Sequence, residues 1–354
     1  MFTPPFCPYR DCAHHAQPKA GFCILFGTYH PRCRPHPVQR FRCRACRRTF
    51  SRQTFRMDYR DHRPALNAPL FLSLASGLGL RQSARNLGLS LRCAELKFRK
   101  IARHLRRLNL NLRAPLSGPT RFHFDELETY EEERNTRPLS VALLVVSDSR
   151  YIVWAQSAPI RARGKMTPAR KEALEKARKR HGLRRDLSRA NAARTLARGA
   201  RLTARQAPVV LETDEKSTYP RLAQRAFGRA RLEHRRTSGQ LARTTWNPLF
   251  PINHEEALLR DLMGRMRRES WLVSKRRRYL DLALQLHMAY RNLVRRRFNH
   301  DQASPAQLLG FVPRRLTPCE LLSWGQKWQR RSPHPLARDG QRIDRWRPKP
   351  AEAA

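Results

Sequence analysis

Hydrophobic and polar positions alternate most regularly over residues 121–129, RFHFDELET. Phe122 and Phe124 fall on one face of an extended segment, and His123 and Asp125 on the other. Residues 139–146 form an unbroken apolar run, the pattern of a strand buried on both faces. A turn at 147–149 and a return over 151–155 predict three strands in meander order. Residues 161–185 are basic and helix-prone, and read as a solvated insertion lying on DNA. Glu172 and Glu175 sit one turn before Lys176 and Lys179. Farther along, 187–202 has helical spacing with Leu196 inward. A short strand at 209–211, a helix at 218–227 and an edge strand at 231–237 follow. The predicted order is β-β-β-α-β-α-β-α. Its last helix, 253–269, buries Leu259, Leu262, Met263 and Met266. A further helix is expected at 279–298.

Upstream, Leu70, Phe71, Leu74 and Ala75 make one helical stripe. Residues 82–87, the turn at Gly88 and the N-cap Ser90 then read as the first half of a helix-turn-helix. Its second helix, 91–105, is expected to bury Leu96, Ile101 and Leu105. Arg92, Lys97, Lys100 and Arg103 would face the groove of DNA. A linker with Pro115 and Pro119 separates this unit from the strands.

Cysteine usage gives the first 60 residues a different character. Six of the eight cysteines precede residue 47. Cys7 and Cys12 form one knuckle and Cys43 and Cys46 a tighter one, in the manner of a zinc ribbon holding a structural Zn2+. Cys23, Cys33, His30 and the pair His14 and His15 are rival ligands. Phe41 and Phe50 flank the second knuckle, and arginines from Arg40 to Arg52 offer a phosphate-contacting surface.

The charge of the 354-residue chain narrows the partner. Seventy-three Lys and Arg stand against 28 Asp and Glu, a formal net charge of +45. That excess points to nucleic acid rather than a small substrate. No apolar run is long enough to span a membrane and no signal peptide is expected. A cytoplasmic, nucleoid-associated protein is the expectation.

Asp125 closes the first predicted strand and Asp214 the fourth, PVVLETD. If those strands are parallel neighbours, both carboxylates emerge at one edge, where a shared cation relieves their repulsion. Two Mg2+ ions so placed clamp the attacking and leaving oxygens of a phosphoryl displacement. Glu126 and Glu128 are expected on the opposite, surface face; Asp148 lies in a turn.

Taken together, FDELET, TDEKSTYP, and N-x6-R followed by RRESWLVSK resemble the catalytic domain of DDE transposases of bacterial insertion sequences. RFRCRACRRTFS and RQSARNLGLS are similar to the zinc ribbon and helix-turn-helix that head one group of them. The resemblance implies a ribonuclease-H-like fold and dependence on Mg2+. It also implies binding to inverted repeats at element ends and to target DNA, with action as a homo-oligomer. It carries the first two acids to Asp125 and Asp214. The third, a glutamate in the family, falls on Asn253. Glu256, one turn on, is the substitute, and the spacing favours Asn253. Arg260 is the DNA-contacting arginine of that helix. Without a third metal ligand the chain would be a domesticated, DNA-binding regulator.

The expected organisation is thus α/β. A zinc ribbon (1–60) and a helix-turn-helix with its linker (61–115) precede a ribonuclease-H-like mixed-sheet domain (116–300). A basic tail with Trp324, Trp328 and Trp346 follows (301–354).

Overall fold

A computed structural model describes residues 2–112, 115–267 and 272–324. Arg268, within the RRESWLVSK motif, and Trp328 and Trp346 of the tail lie outside the described residues.

The N-terminal segment has a one-turn helix, α1 (Ala13–Ala16), and three strands, β1 (Cys23–Tyr29), β2 (Val38–Cys43) and β3 (Thr49–Ser51), paired antiparallel in the order β1-β2-β3. Its core is small and aromatic. Phe6, Phe22, Phe41, Phe50 and Phe55 pack with Cys7, Cys12 and Cys43, and the cluster is separate from those farther along the chain.

Three helices follow: α2 (Asn67–Ala75), α3 (Leu80–Asn86) and α4 (Leu91–Asn111). Gly88 adopts φ +57° in the turn before α4, and the Ser90 hydroxyl caps that helix by accepting from Cys93 N at 3.2 Å. Leu70, Phe71, Phe98, Ile101 and Leu105 share one hydrophobic cluster with Phe122, Phe124, Leu144 and Leu196. These helices therefore share a core with the sheet that follows, and α4 packs against the later helix Arg277–Ala289, which in turn contacts that sheet. Leu96 was expected inside but is 43% exposed. The buried residues of α4 form one continuous face, from His104 and Lys97 through Ile101 and Ala94 to Leu105 and Ala102, and residue 96 lies on the opposite, outer stripe.

The large sheet is five-stranded and mixed. It comprises β4 (Thr120–Tyr130), β5 (Pro138–Val146), β6 (Ile152–Pro159), β7 (Val209–Thr213) and β8 (Leu232–Arg236), in the order β6-β5-β4-β7-β8. β4, β5 and β6 pair antiparallel, whereas β7 lies parallel to β4 and β8 parallel to β7. The expected run of elements is observed, with α5 (Pro168–His181) and α6 (Ser188–Ala200) before β7 and α7 (Tyr219–Phe227) before β8. Gly199 lets α6 approach the sheet; a Cβ there would lie 2.6 Å from Leu144 Cδ2.

Alternation along β4 divides the core. Phe122 and Phe124 face Leu196, Tyr219 and Ala223. Leu127 faces the other layer, α8 (Phe250–Leu262) and α9 (Arg277–Ala289), with Ile252, Leu259, Leu280 and Leu284. The helix expected over 253–269 starts earlier and ends at Leu262; Met263 and Met266 are buried in the turn beyond it. The chain after α9 makes a π-turn over Tyr290–Val294 and two short helices, α10 (Pro305–Leu308) and α11 (Pro318–Ser323). Val312, Leu316 and Leu321 join the main core, so this part of the tail is built in. No helix among the described residues is long and apolar enough to cross a membrane.

Candidate metal and phosphate-chemistry sites

Cys7, Cys12, Cys43 and Cys46 bring their four sulfurs within 4.8 Å of one another. The Cys7–Cys46 and Cys12–Cys43 Sγ separations are both 3.7 Å. A tetrahedron of sulfurs at the usual zinc–sulfur distance has edges of about 3.8 Å, so the donor set fits a structural zinc. Burial raises the Cys7 thiol. Cys46 is also raised by burial, but the Arg48 backbone and side chain and its two cysteine neighbours bring it down to about 7. The rival ligands stay outside the cluster: His15 Nδ1 lies 2.8 Å from the Cys7 carbonyl.

The second site forms around Asp125. Asp125 does not end its strand, because β4 continues to Tyr130 in antiparallel pairing with β5. The parallel pairing with β7 does stop here, running from Thr120↔Val209 to His123↔Glu212. Two residues farther, that register sets Asp125 beside Asp214, which follows the last residue of β7. Burial raises the Asp125 pKa. The Glu126 amide, donating to Oδ1 at 2.6 Å, opposes this, and the Asp214 charge adds to it. The Asp214 carboxylate accepts from Lys216 N at 3.1 Å, which fixes the turn after β7.

Helix α8 delivers the third carboxylate. Glu256 is buried and interacts directly with Asp125. Burial and the Asp125 charge push its pKa up to about 8, against the pull of Arg260 and Arg243. Glu256 Oε1 is buried without a hydrogen-bond partner. An oxygen in that position costs stability unless a cation or donor reaches it. Asn253, favoured by spacing, is half-buried one turn earlier on the same helix, and the carboxylate that meets Asp125 is Glu256. The three acids are spread more widely than the cysteines, whose ligand atoms alone among the described residues close to within 4.8 Å.

The rotation of α8 is fixed from behind. Glu255, fully buried, takes the fully buried Arg291 guanidinium at 2.9 Å from Nε and 2.5 Å from Nη2. Arg291 also donates to the carbonyls of Arg296 and Arg297, each at 3.0 Å. The π-turn aims Arg291 at α8, and its neighbour Asn292 clips both backbone groups of Ile152 at 2.9 Å. Glu255 and Glu256 are thus adjacent on α8, the first held by Arg291 and the second meeting Asp125.

Glu126, expected at the surface, is a buried partner of this edge. Its carboxylate accepts from Ser140 Oγ at 2.6 Å and Tyr219 Oη at 3.1 Å and ion-pairs with Lys216. Burial and the nearby Glu126, Asp125 and Asp214 charges raise the Tyr219 phenol strongly. Only the pairing of β4 with β5 and the seating of α7 create these contacts; the FDELET string carries no sign of them. Glu128 is exposed as expected.

The basic residues proposed for DNA divide. Arg92 and Arg103 are exposed on α4, and Lys100 donates to the Tyr59 carbonyl at 2.9 Å. Lys97 does not face solvent. It is 4% exposed and gives its three protons to Asp61 Oδ1 (2.5 Å), the Arg63 carbonyl (2.8 Å) and Asn67 Oδ1 (2.9 Å). An ammonium so satisfied fastens the 58–67 segment to α4 and reaches no phosphate. The outer stripe runs through Arg92, Leu96, Arg99, Arg103 and Arg106; its seven-residue spacing from Arg92 to Arg99 to Arg106 is a sequence signal that the Lys97 assignment missed. Arg260 is half-buried one turn beyond Glu256, with Nε unpartnered.

Compared with protein-family models and with curated proteins, the chain matches none of them.

Proposed function

We propose that the chain is a metal-dependent DNA strand-cleaving and strand-joining enzyme of the DDE transposase kind, built on a ribonuclease-H-like sheet. The observation that carries the proposal is the meeting of Glu256, with its unpartnered buried oxygen, and Asp125 at the point where β4 reaches Asp214. Support comes also from the strand order, in which the first and fourth strands of the sheet are parallel neighbours. The excess of basic residues supplies a reason for a polyanionic substrate.

In this reading Asp125, Asp214 and Glu256 hold two Mg2+ ions, with Asn253 near enough in the helix to lend an amide oxygen. Bound there, such ions stabilise the attacking and leaving oxygens of an in-line displacement at a phosphodiester. The chain's own residues position the acids. Lys216 and Tyr219 hold Glu126 back, and the Glu126 amide orients Asp125. Arg260 offers a positive charge beside the scissile phosphate. A water attacks for cutting, or a DNA 3′-hydroxyl for joining, so no protein nucleophile is required. The cysteine cluster holds a structural Zn2+, and α3 with α4 acts as a helix-turn-helix. Arg92, Lys100 and Arg103, with Arg99 and Arg106, lie along the phosphates of the inverted repeats at element ends.

The test is a nicking assay on a labelled duplex carrying the ends of the DNA that flanks the gene, with Mg2+ or Mn2+. Wild type should nick at the terminal phosphate. Asp125→Asn and Asp214→Asn should each lose roughly a hundredfold or more in rate, the scale of losing a charge-stabilising group, while retaining duplex binding. Specific binding by wild type with no nicking in either metal would make the protein a regulator instead.

A further inference from the structure

Helix α5 buries none of its 14 residues. A helix of that length gains nothing from the core and is marginal in water by itself. Its support is polar: the Thr167 hydroxyl caps it by accepting from Arg170 N at 3.3 Å, Lys176 pairs with Glu172 at 2.7 Å, Arg170 donates to the Asn135 carbonyl at 3.4 Å, and Arg180 and His181 each lie 3.6 Å from Glu132. Between α5 and the ends of β5 and β6 runs a cleft of about 800 Å³, lined by Arg161, Lys171, Arg178, His181, Arg184 and Arg185, with Glu175 as its acid. A second cleft of about 370 Å³ adjoins it, lined by Tyr130, Arg134, Arg161, Arg163, Arg170 and Arg260, with Glu128. Arg161 belongs to both walls. Arg260 stands one turn beyond Glu256 on α8, and the two interact electrostatically. The unpartnered Nε atoms of Arg260 and Arg170 lie along the second cleft.

A basic trough therefore leads from Arg260, beside Glu256, to the face of α5 that looks toward β5 and β6. We infer that this trough is a phosphate track for duplex DNA, carrying the backbone that flanks the reacting bond from Arg260 past Arg161 to α5. This deepens the proposed reading and rests on it for the identity of the reacting bond. Charge decides between occupants. The trough gathers basic groups against Glu175 and Glu128 in its lining, with Glu131 pairing Arg184, Glu132 beside His181 and Asp186 pairing Arg163; the bases remain in excess, which favours a polyanion. A second copy of this chain has 28 acids against 73 bases and carries little to complement it. The track is distinct from the outer stripe of α4, which lies on another element and another part of the chain.

The experiment compares two fourfold variants of the full zinc-loaded chain. Arg161, Lys171, Arg178 and Arg185 are all exposed, as are Arg205, Arg221, Arg225 and Arg229 elsewhere. The track variant is R161Q/K171Q/R178Q/R185Q; the control, equal in charge change, is R205Q/R221Q/R225Q/R229Q. Binding of a 40-base-pair duplex is followed by fluorescence anisotropy from about 50 to 300 mM KCl, without added Mg2+. The slope of log affinity against log salt should become shallower by about 2–4 in the track variant, near 0.9 for each phosphate no longer neutralised, and by less than about 1 in the control. A single R161Q should give about one unit. Equal changes in both fourfold variants would overturn the track. So would an unchanged slope with a loss of self-association in sedimentation, which would make the trough a protein interface. No cleavage is read, so a protein that binds but never nicks sinks the enzyme reading while the track stands or falls by its slope.

Discussion

Glu256 places a carboxylate where charge is penalised: buried, beside Asp125, with one oxygen unpartnered. Its pKa of about 8 in the folded chain, against 4.5 for an ordinary glutamate, has a sign that can be checked. Between those values the folded, metal-free chain keeps a proton that the unfolded chain releases. Its stability therefore falls as pH rises through that window and is lowest above about 8. Glu256→Gln removes the penalty. At pH 8.5 the metal-free variant should be more stable than wild type by about 1–3 kcal/mol, with little difference near pH 4, in urea titrations monitored by circular dichroism. A cation must displace the same proton. Mn2+ affinity, measured by calorimetry, should accordingly rise from pH 6 to 8 in wild type and lose that rise in the variant. A pH-independent affinity in wild type would detach Glu256 from the metal site.

At the scale of elements, the seat of α8 depends on one ion pair in which both partners are fully buried. Glu255 and Arg291 form a forked contact, and Arg291 also ties down the chain after the π-turn. Two charges taken out of water recover their solvation only while both are present. Arg291→Ala should cost about 3–5 kcal/mol in urea unfolding, since it leaves the buried Glu255 with only the His254 ring at 3.5 Å as a charge partner. Replacing both by methionine should recover much of that loss, because the pair as a whole is near neutral against apolar residues of similar volume. The double variant then separates stability from position. If Glu255 sets the phase of α8, Glu255→Met/Arg291→Met folds yet binds Mn2+ more weakly. Unaltered Mn2+ binding would show that packing of Ile252 and Leu259 suffices.

For the molecule as a whole, the aromatic core around the four cysteines is separate from the two clusters on either face of the five-stranded sheet. A core this small holds poorly without a bound ion. Elemental analysis should find one zinc per chain. Cys43→Ser should lose it and melt the three-stranded sheet, read as loss of amide protection over 2–55, with protection retained across β4 to β8. Loss of protection throughout would show that the two parts fold as one cooperative unit.

Much of this was written in local pattern. Alternation at 121–129, the apolar run at 139–146 and the helical spacing after them specify the elements, because side-chain period follows from backbone geometry alone. The paired knuckles likewise marked Cys7, Cys12, Cys43 and Cys46. What the chain could not announce were contacts made between elements. Lys97 looked like a groove-facing lysine until Asp61 and Asn67, some 30 or more residues away, surrounded it. Glu126 looked solvent-facing until α7 and β5 closed on it. That Glu256 meets Asp125 depends on how α8 packs, and its neighbour Glu255 is held by Arg291, 36 residues downstream. Periodicity says which residues share a face; only packing decides what that face meets, since burial and pairing energies depend on neighbours brought together by the closed fold.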